Sequence, residues 1–113
     1  MRPLKIAGAA CAALALGLVQ TAAAKGNAET GKAKAAQVCA ACHGADGAKP
    51  SAPDQPILAG QYYDYLVKAL SDYKSGKRSD PVMKGFAVSL SRQDMEDLAA
   101  WFASQKSNLH FQR

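Results

Sequence analysis

The chain has 113 residues, with 14 basic and nine acidic side chains, three cysteines and a composition that is 49% apolar. That length suits one domain, and its modest positive charge lacks the clustered basic face of a nucleic-acid binder. Only Cys39 and Cys42 lie beyond the N-terminal apolar stretch, too few for the disulfide framework that stabilises many small secreted domains.

Arg2 and Lys5 flank the start of an apolar run from Ile6 to Val19, and Ala22-Ala23-Ala24 supplies small residues for cleavage. This is the anatomy of a secretory leader, so residues 1–24 are expected to be removed and the domain to span residues 25–113. The apolar run is shorter than the roughly 20 residues that cross a bilayer. Cys11 leaves with the leader, and a lipoprotein anchor there would need a longer apolar stretch before it. Without residues 1–24, 12 basic side chains remain against nine acidic, a net charge of +3 with two cysteines. A domain this small buries a modest core and often needs a covalent or metal staple.

Residues 28–42 read as a first helix. Alanines 28, 33, 35, 36, 40 and 41 favour it, and Glu29 suits its positive N-terminal end. Gly31 inside it costs about 1 kcal/mol relative to alanine, which close approach of another backbone would explain. The helix closes on Cys39-Ala40-Ala41-Cys42-His43, with Gly44 as its expected left-handed cap. Two thiols three positions apart share one helical face, and the imidazole follows directly. This pattern reads as a c-type haem attachment site, with Cys39 and Cys42 adding to two vinyl groups and His43 ligating the iron.

Three other chemistries compete for these five residues. Zinc would need two further Cys or His ligands, and only His110 follows. A thioredoxin-like redox pair would need a βαβ setting, whereas Ala-rich helical sequence precedes the motif and a Gly-rich loop follows it. A structural disulfide would leave His43 unexplained.

From Ala45 to Gly60 the chain carries Gly47, Pro50, Pro53 and Pro56, and is expected to be a loop that wraps a ligand. A second helix is expected over 61–75, where Tyr62, Leu66, Ala69, Leu70 and Tyr73 recur at helical spacing before Gly76. Residues 76–90 read as a second loop. Ser91 then caps a last helix, with Asp94 completing a capping box and Met95, Leu98, Ala99 and Phe102 forming its apolar stripe. Residues 106–113 show no period and read as a frayed tail. The fold class is therefore all-α: three main helices and two long loops around one covalently bound haem.

A thioether is a known partner to histidine on haem iron. Of three methionines, Met1 leaves with the leader and Met95 belongs to the last helix's core stripe. Met83 stands outside any helical period between Pro81 and Gly85, and is the candidate second ligand. His110 is the rival, on a tail that is hard to fix in a closed site.

Taken together, the pattern resembles the class I c-type cytochromes from residue 25 onward. The likeness rests on the Cys39 to His43 motif, Pro56-Ile57-Leu58-Ala59-Gly60-Gln61, Met83 with Ala87 and Leu90, and Leu98-Ala99-Ala100-Trp101-Phe102. It is nearest to small single-haem periplasmic members and to one half of the twin-domain dihaem ones, and the single attachment motif makes this chain a single-haem reading. The resemblance implies that the Pro56 carbonyl holds the other ring nitrogen of His43 and that Gly31 admits the last helix near Trp101. It further implies that Tyr62 and Tyr63 line the haem or bond a propionate. Val82 departs from the many relatives that carry a second methionine before the ligand.

With His43 and Met83 on the iron, no position stays open for substrate, which points to an electron carrier and not an enzyme. An open-site peroxidase or gas sensor would require Met83 to lie off the iron, and a subunit dedicated to one dehydrogenase or oxidase is a variation within the carrier reading. The expected setting is the bacterial periplasm, without stable membrane insertion, as a monomer or weak dimer. Lys49, Lys77, Arg78 and Lys84 fall in the loops expected to border the haem edge, where they would steer redox partners with acidic docking surfaces.

Overall fold

The computed structural model describes residues 26–107 together with Pro3, Leu4 and Gly8. Apart from Gly8, the leader's apolar run lies outside the described residues, as do the cleavage site, Cys11 and tail residues 108–113 with His110. Five helical segments follow in order: α1 (Ala28–Val38), α2 (Ala40–His43), α3 (Tyr63–Ser75), α4 (Pro81–Ala87) and α5 (Arg92–Ala103). No strand occurs among the described residues.

Asn27 caps α1, its side-chain oxygen accepting the Thr30 N–H at 2.9 Å. The expected single helix over 28–42 is interrupted at Cys39, whose φ of −113° departs from helical geometry. There the chain tightens: the Cys39 carbonyl accepts N–H groups from both Cys42 (3.3 Å) and His43 (3.0 Å). Gly44 ends α2 with φ 85° and ψ 158°, a positive-φ turn outside the left-handed helical region expected of it.

α3 begins two residues later than its periodicity predicts and stops at Gly76 as expected. The second loop is corrected more substantially, because residues 81–87 form α4. Asp80 caps it, accepting from the N–H groups of Val82 and Met83 at 3.0 Å each, and Pro81 takes the first helical position. Met83 therefore sits in the first turn of a helix. The capping box at α5 forms as read: Asp94 N–H donates to Ser91 Oγ at 3.0 Å and Ser91 N–H donates to Asp94 Oδ2 at 2.8 Å.

α1 packs across α5, and α5 packs on α3. At the first crossing a Cβ on Gly31 would fall 1.9 Å from the Asp97 carbonyl oxygen and 3.0 Å from Trp101 Cβ, so the backbones touch with no side chain between them. The buried Asp97 carboxylate secures the same junction, accepting the Asn27 N–H at 2.7 Å and the Gln93 amide at 2.8 Å. Trp101 Nε1 donates to the Ala45 carbonyl at 3.0 Å, fastening α5 to the chain beyond α2. The apolar centre joins Leu66 and Val67 of α3 to Met95, Leu98, Ala99 and Phe102 of α5, with Ala35 and Leu90. Four of the ten buried apolar residues described are alanine, so side chains alone fill little of the interior.

Gly31→Ala tests the crossing. Helix propensity alone would make it stabilising by about 1 kcal/mol. The clash with the Asp97 backbone reverses the sign, and a net loss of about 1–3 kcal/mol is expected in denaturant unfolding of the haem-loaded protein. The cap of α5 gives an acid signature. The Ser91 N–H, foremost, holds the Asp94 carboxyl below its usual range. Its contribution is complete above the ordinary carboxylate value of about 4 and disappears as pH falls through the depressed folded value. Asp94→Asn should flatten this part of an acid-unfolding curve, and Ser91→Ala should cost about 1 kcal/mol near neutral pH.

Candidate functional site

The kink at Cys39 and the turn of α2 set the two thiols and His43 along one side of the interior. His43 is buried, and its Nδ1 lies 2.9 Å from the Pro56 carbonyl oxygen. A carbonyl only accepts, so Nδ1 carries the proton and Nε2 keeps its lone pair for a metal. A chain of local bonds delivers that carbonyl. Ser51 N–H donates to the Cys42 carbonyl at 2.9 Å. Gln55 Oε1 then accepts from the Ser51 hydroxyl at 2.8 Å and from the Ala52 N–H at 3.0 Å. Farther along, Leu58 and Ala59 N–H groups reach the Gly47 carbonyl and Gly60 N–H reaches that of Phe102, so the loop is pinned at both ends.

Burial, and secondarily the neighbouring Cys42, pushes the Cys39 thiol up to about 11. Redox and metal-binding cysteine pairs instead work through depressed pKa values that expose a thiolate at neutral pH. Among the described residues no three His, Cys, Asp or Glu side chains gather as a metal-ligand set, and His110, the further zinc ligand considered in the sequence, lies outside them.

A cavity of about 480 Å³ opens beside His43 and Cys39. Leu66, Ala69 and Leu70 of α3, Leu98, Ala99 and Phe102 of α5, and Ile57 and Leu58 of the first loop supply apolar lining, and Met83 of α4 lines it too. A second cavity of about 140 Å³ shares His43, Pro56, Leu70 and Met83 with the first and adds Cys42, Val82 and Phe86. The donor set suits a covalently held haem: paired thiols for two vinyl groups, an imidazole nitrogen and a soft thioether for iron, and apolar walls for the macrocycle.

Of the residues singled out in sequence, Cys39, Cys42, His43, Pro56 and Met83 all line this space. Tyr62 lines neither cavity and is 63% exposed, while Tyr63 Oη accepts the Gly26 N–H at 3.3 Å. The tyrosines that line the larger cavity are Tyr65 and Tyr73, accompanied by Arg78. Tyr65, Ala69 and Tyr73 recur every fourth residue, a stripe that could have revealed them. Arg78 has no comparable local signal.

The family model described as Cytochrome c matches residues 28–106. Cytochrome c4 of Pseudomonas aeruginosa is 54% identical over 96 residues, covering 85% of this chain and 47% of that protein. Cytochrome c4 of Stutzerimonas stutzeri is 46% identical over 107 residues, covering 87% of this chain and 50% of that protein. The crystal structure of reduced recombinant cytochrome c4 from Pseudomonas stutzeri superposes with a TM-score of 0.67 at 45% identity, covering 74% of this chain and 48% of that one. The chain thus spans about half the length of the curated relatives it matches.

Gln55→Ala tests how the Pro56 carbonyl is held. Losing both Oε1 bonds should lower stability by about 1 kcal/mol in denaturant unfolding. It should also disturb the His43 ring resonances in the nuclear magnetic resonance spectrum of the haem-loaded protein, while distant α1 signals stay in place.

Proposed function

The chain belongs to the cytochrome c family, and we propose that this domain carries single electrons through one covalent haem held by Cys39, Cys42, His43 and Met83. One observation carries the reading: His43 and Met83 line the same cavity, so an imidazole and a thioether are available to one iron. When bound, the haem supplies a one-electron change of charge at iron, and thioether ligation raises its reduction potential.

The chain's own groups do the rest. Cys39 and Cys42 would hold the ring to the turn between α1 and α2 through thioether bonds to its two vinyl groups. The Pro56 carbonyl holds His43 in one tautomer and one orientation. Asp80 sets the first turn of α4, from which Met83 closes the other side. The apolar faces of α3 and α5 exclude water and so limit reorganisation around the changing charge. With His43 and Met83 both holding the iron, no position would stay open to substrate, which supports a carrier over an enzyme.

Among the described residues no helix is long and apolar enough to cross a membrane. In this reading residues 1–24 direct export and the domain works in the bacterial periplasm as a monomer or weak dimer. Lys49, Lys77 and Lys84 are exposed, which supports encounter with redox partners whose docking surfaces are acidic.

A ferric spectrum of protein matured with haem tests the assignment. A low-spin iron with a sulfur-to-iron charge-transfer band is expected. Met83→Ala should lose the band, turn high-spin, bind added azide or cyanide, and fall in reduction potential. A high-spin wild type with a vacant sixth position would overturn the carrier assignment. For the charged face, association with an acidic redox partner should slow steeply as salt rises from 10 to 200 mM, conditions that shorten the Debye length from about 30 Å to below 10 Å.

A further inference from the structure

Residues 80–90 are bonded end to end. Lys84 N–H donates to the Asp80 carbonyl at 2.9 Å, Val88 N–H to that of Lys84 at 3.1 Å, and Leu90 N–H to that of Ala87 at 3.1 Å. With the Asp80 side chain holding the Val82 and Met83 N–H groups, the thioether and Leu90 belong to one hydrogen-bonded unit. All these bonds lie inside the segment, so none of them fastens Met83 to the rest of the protein. Packing does part of that work, because the Leu90 side chain is buried and lines the smaller cavity together with Met83.

The Leu90 carbonyl supplies a polar fastening. Leu90 stands one residue before the Ser91 cap, whose own carbonyl takes the Met95 N–H at 3.1 Å. Among the described residues no backbone N–H reaches the Leu90 carbonyl. Lys74, in the last turn of α3, donates to it instead from 16 positions away. Lys74 forms no ion pair among the described residues, and the Asp94 carboxylate at the start of α5 pairs with Lys34 at 3.9 Å. From the other direction, the Lys84 ammonium lies over the end of α3, 3.7 Å from where a Cβ on Gly76 would stand. That end carries the negative pole of the helix dipole, which favours a cation. Two lysines thus reach across the junction of α3 and α4 in opposite directions.

We infer that Lys74 is a positioning residue for the Met83 thioether: its bond to the Leu90 carbonyl holds residues 80–90 against α3 and keeps the sulfur at the cavity. The inference rests on the haem assignment proposed above and adds the side chain that sets how readily sulfur is released. An ammonium makes a stronger bond to a carbonyl than a neutral donor does. Lys74 is exposed, however, and water can take its place, so its loss loosens the segment without unfolding the domain.

The test uses the haem-loaded full chain in its ferric form. At saturating imidazole the axial sulfur is replaced at the rate of its own release, read as decay of the sulfur-to-iron band. Lys74→Ala should raise that limiting rate about fivefold, the scale that one hydrogen bond sets. Lys74→Arg should restore it close to the wild-type value. Lys68→Ala removes a like charge from α3 whose bond to Asp72 stays within that helix, and should leave the rate unchanged. A Lys74→Ala protein that releases sulfur at the wild-type rate overturns the inference, even if its denaturant midpoint falls. Equal acceleration by Lys68→Ala also overturns it, since charge and not position would then be responsible. In either event a sulfur-to-iron band in the wild type leaves the carrier assignment standing, whereas a wild type without that band overturns the ligand assignment itself.

Discussion

Where α1 meets α5, backbone lies directly against backbone, because a side chain at Gly31 would strike the Asp97 carbonyl and one at Gly26, just before α1, would strike that of Glu96. The whole interior depends on that contact. It brings the end of α1, and with it Cys39 and His43, against the face of α5 that carries Leu98, Ala99 and Phe102. The Asp97 carboxylate, buried at the same junction, accepts the N–H that opens α1 and so fixes the angle of approach. A wider crossing would separate the attachment residues from the apolar wall they need.

The rest of the molecule wraps what that crossing leaves unfilled. Four of the ten buried apolar residues described are alanine, and a cavity of about 480 Å³ takes up the space that larger side chains would occupy in an ordinary small domain. A flat apolar cofactor joined to two side chains then serves as both core and staple, which a chain of this size needs. The first loop owes its order to the same arrangement. It has little regular structure, yet each of its ends is bonded back to the helices, and its Pro56 carbonyl is delivered to one nitrogen of His43.

How much of this was legible in the sequence follows from how local each signal is. Cys39, Cys42 and His43 stand out in the sequence because a haem attachment motif prescribes their spacing. The Ser91–Asp94 box was plain because its bonds close within four residues. α4 is hard to see in the sequence because Pro81 and Gly85 look like breakers, although Asp80-Pro81 is itself a helix-opening pair, as the bonds from Val82 and Met83 show. The break at Cys39 left no mark, since alanines surround it. For the tyrosines, composition located the aromatic cluster, but the rotation of α3 decided that Tyr65 and not Tyr62 would line the cavity. Arg78 meets Tyr65 from 13 positions away, a contact that only the assembled helix and turn create.

The methionine side of the cavity is built differently from the histidine side. α4 has seven residues, packs chiefly on α3, and starts from the single carboxylate of Asp80. A helix that short has almost no stability of its own. Short elements with few contacts open at lower cost than the packed helices around them. In the proposed assignment, sulfur would then leave the metal in brief excursions that the remainder of the fold does not register. The electrochemical set-point of such a carrier would depend on how large a fraction of molecules has that short helix open, so a partner that pressed on or pulled at it could alter the driving force for transfer without touching the porphyrin.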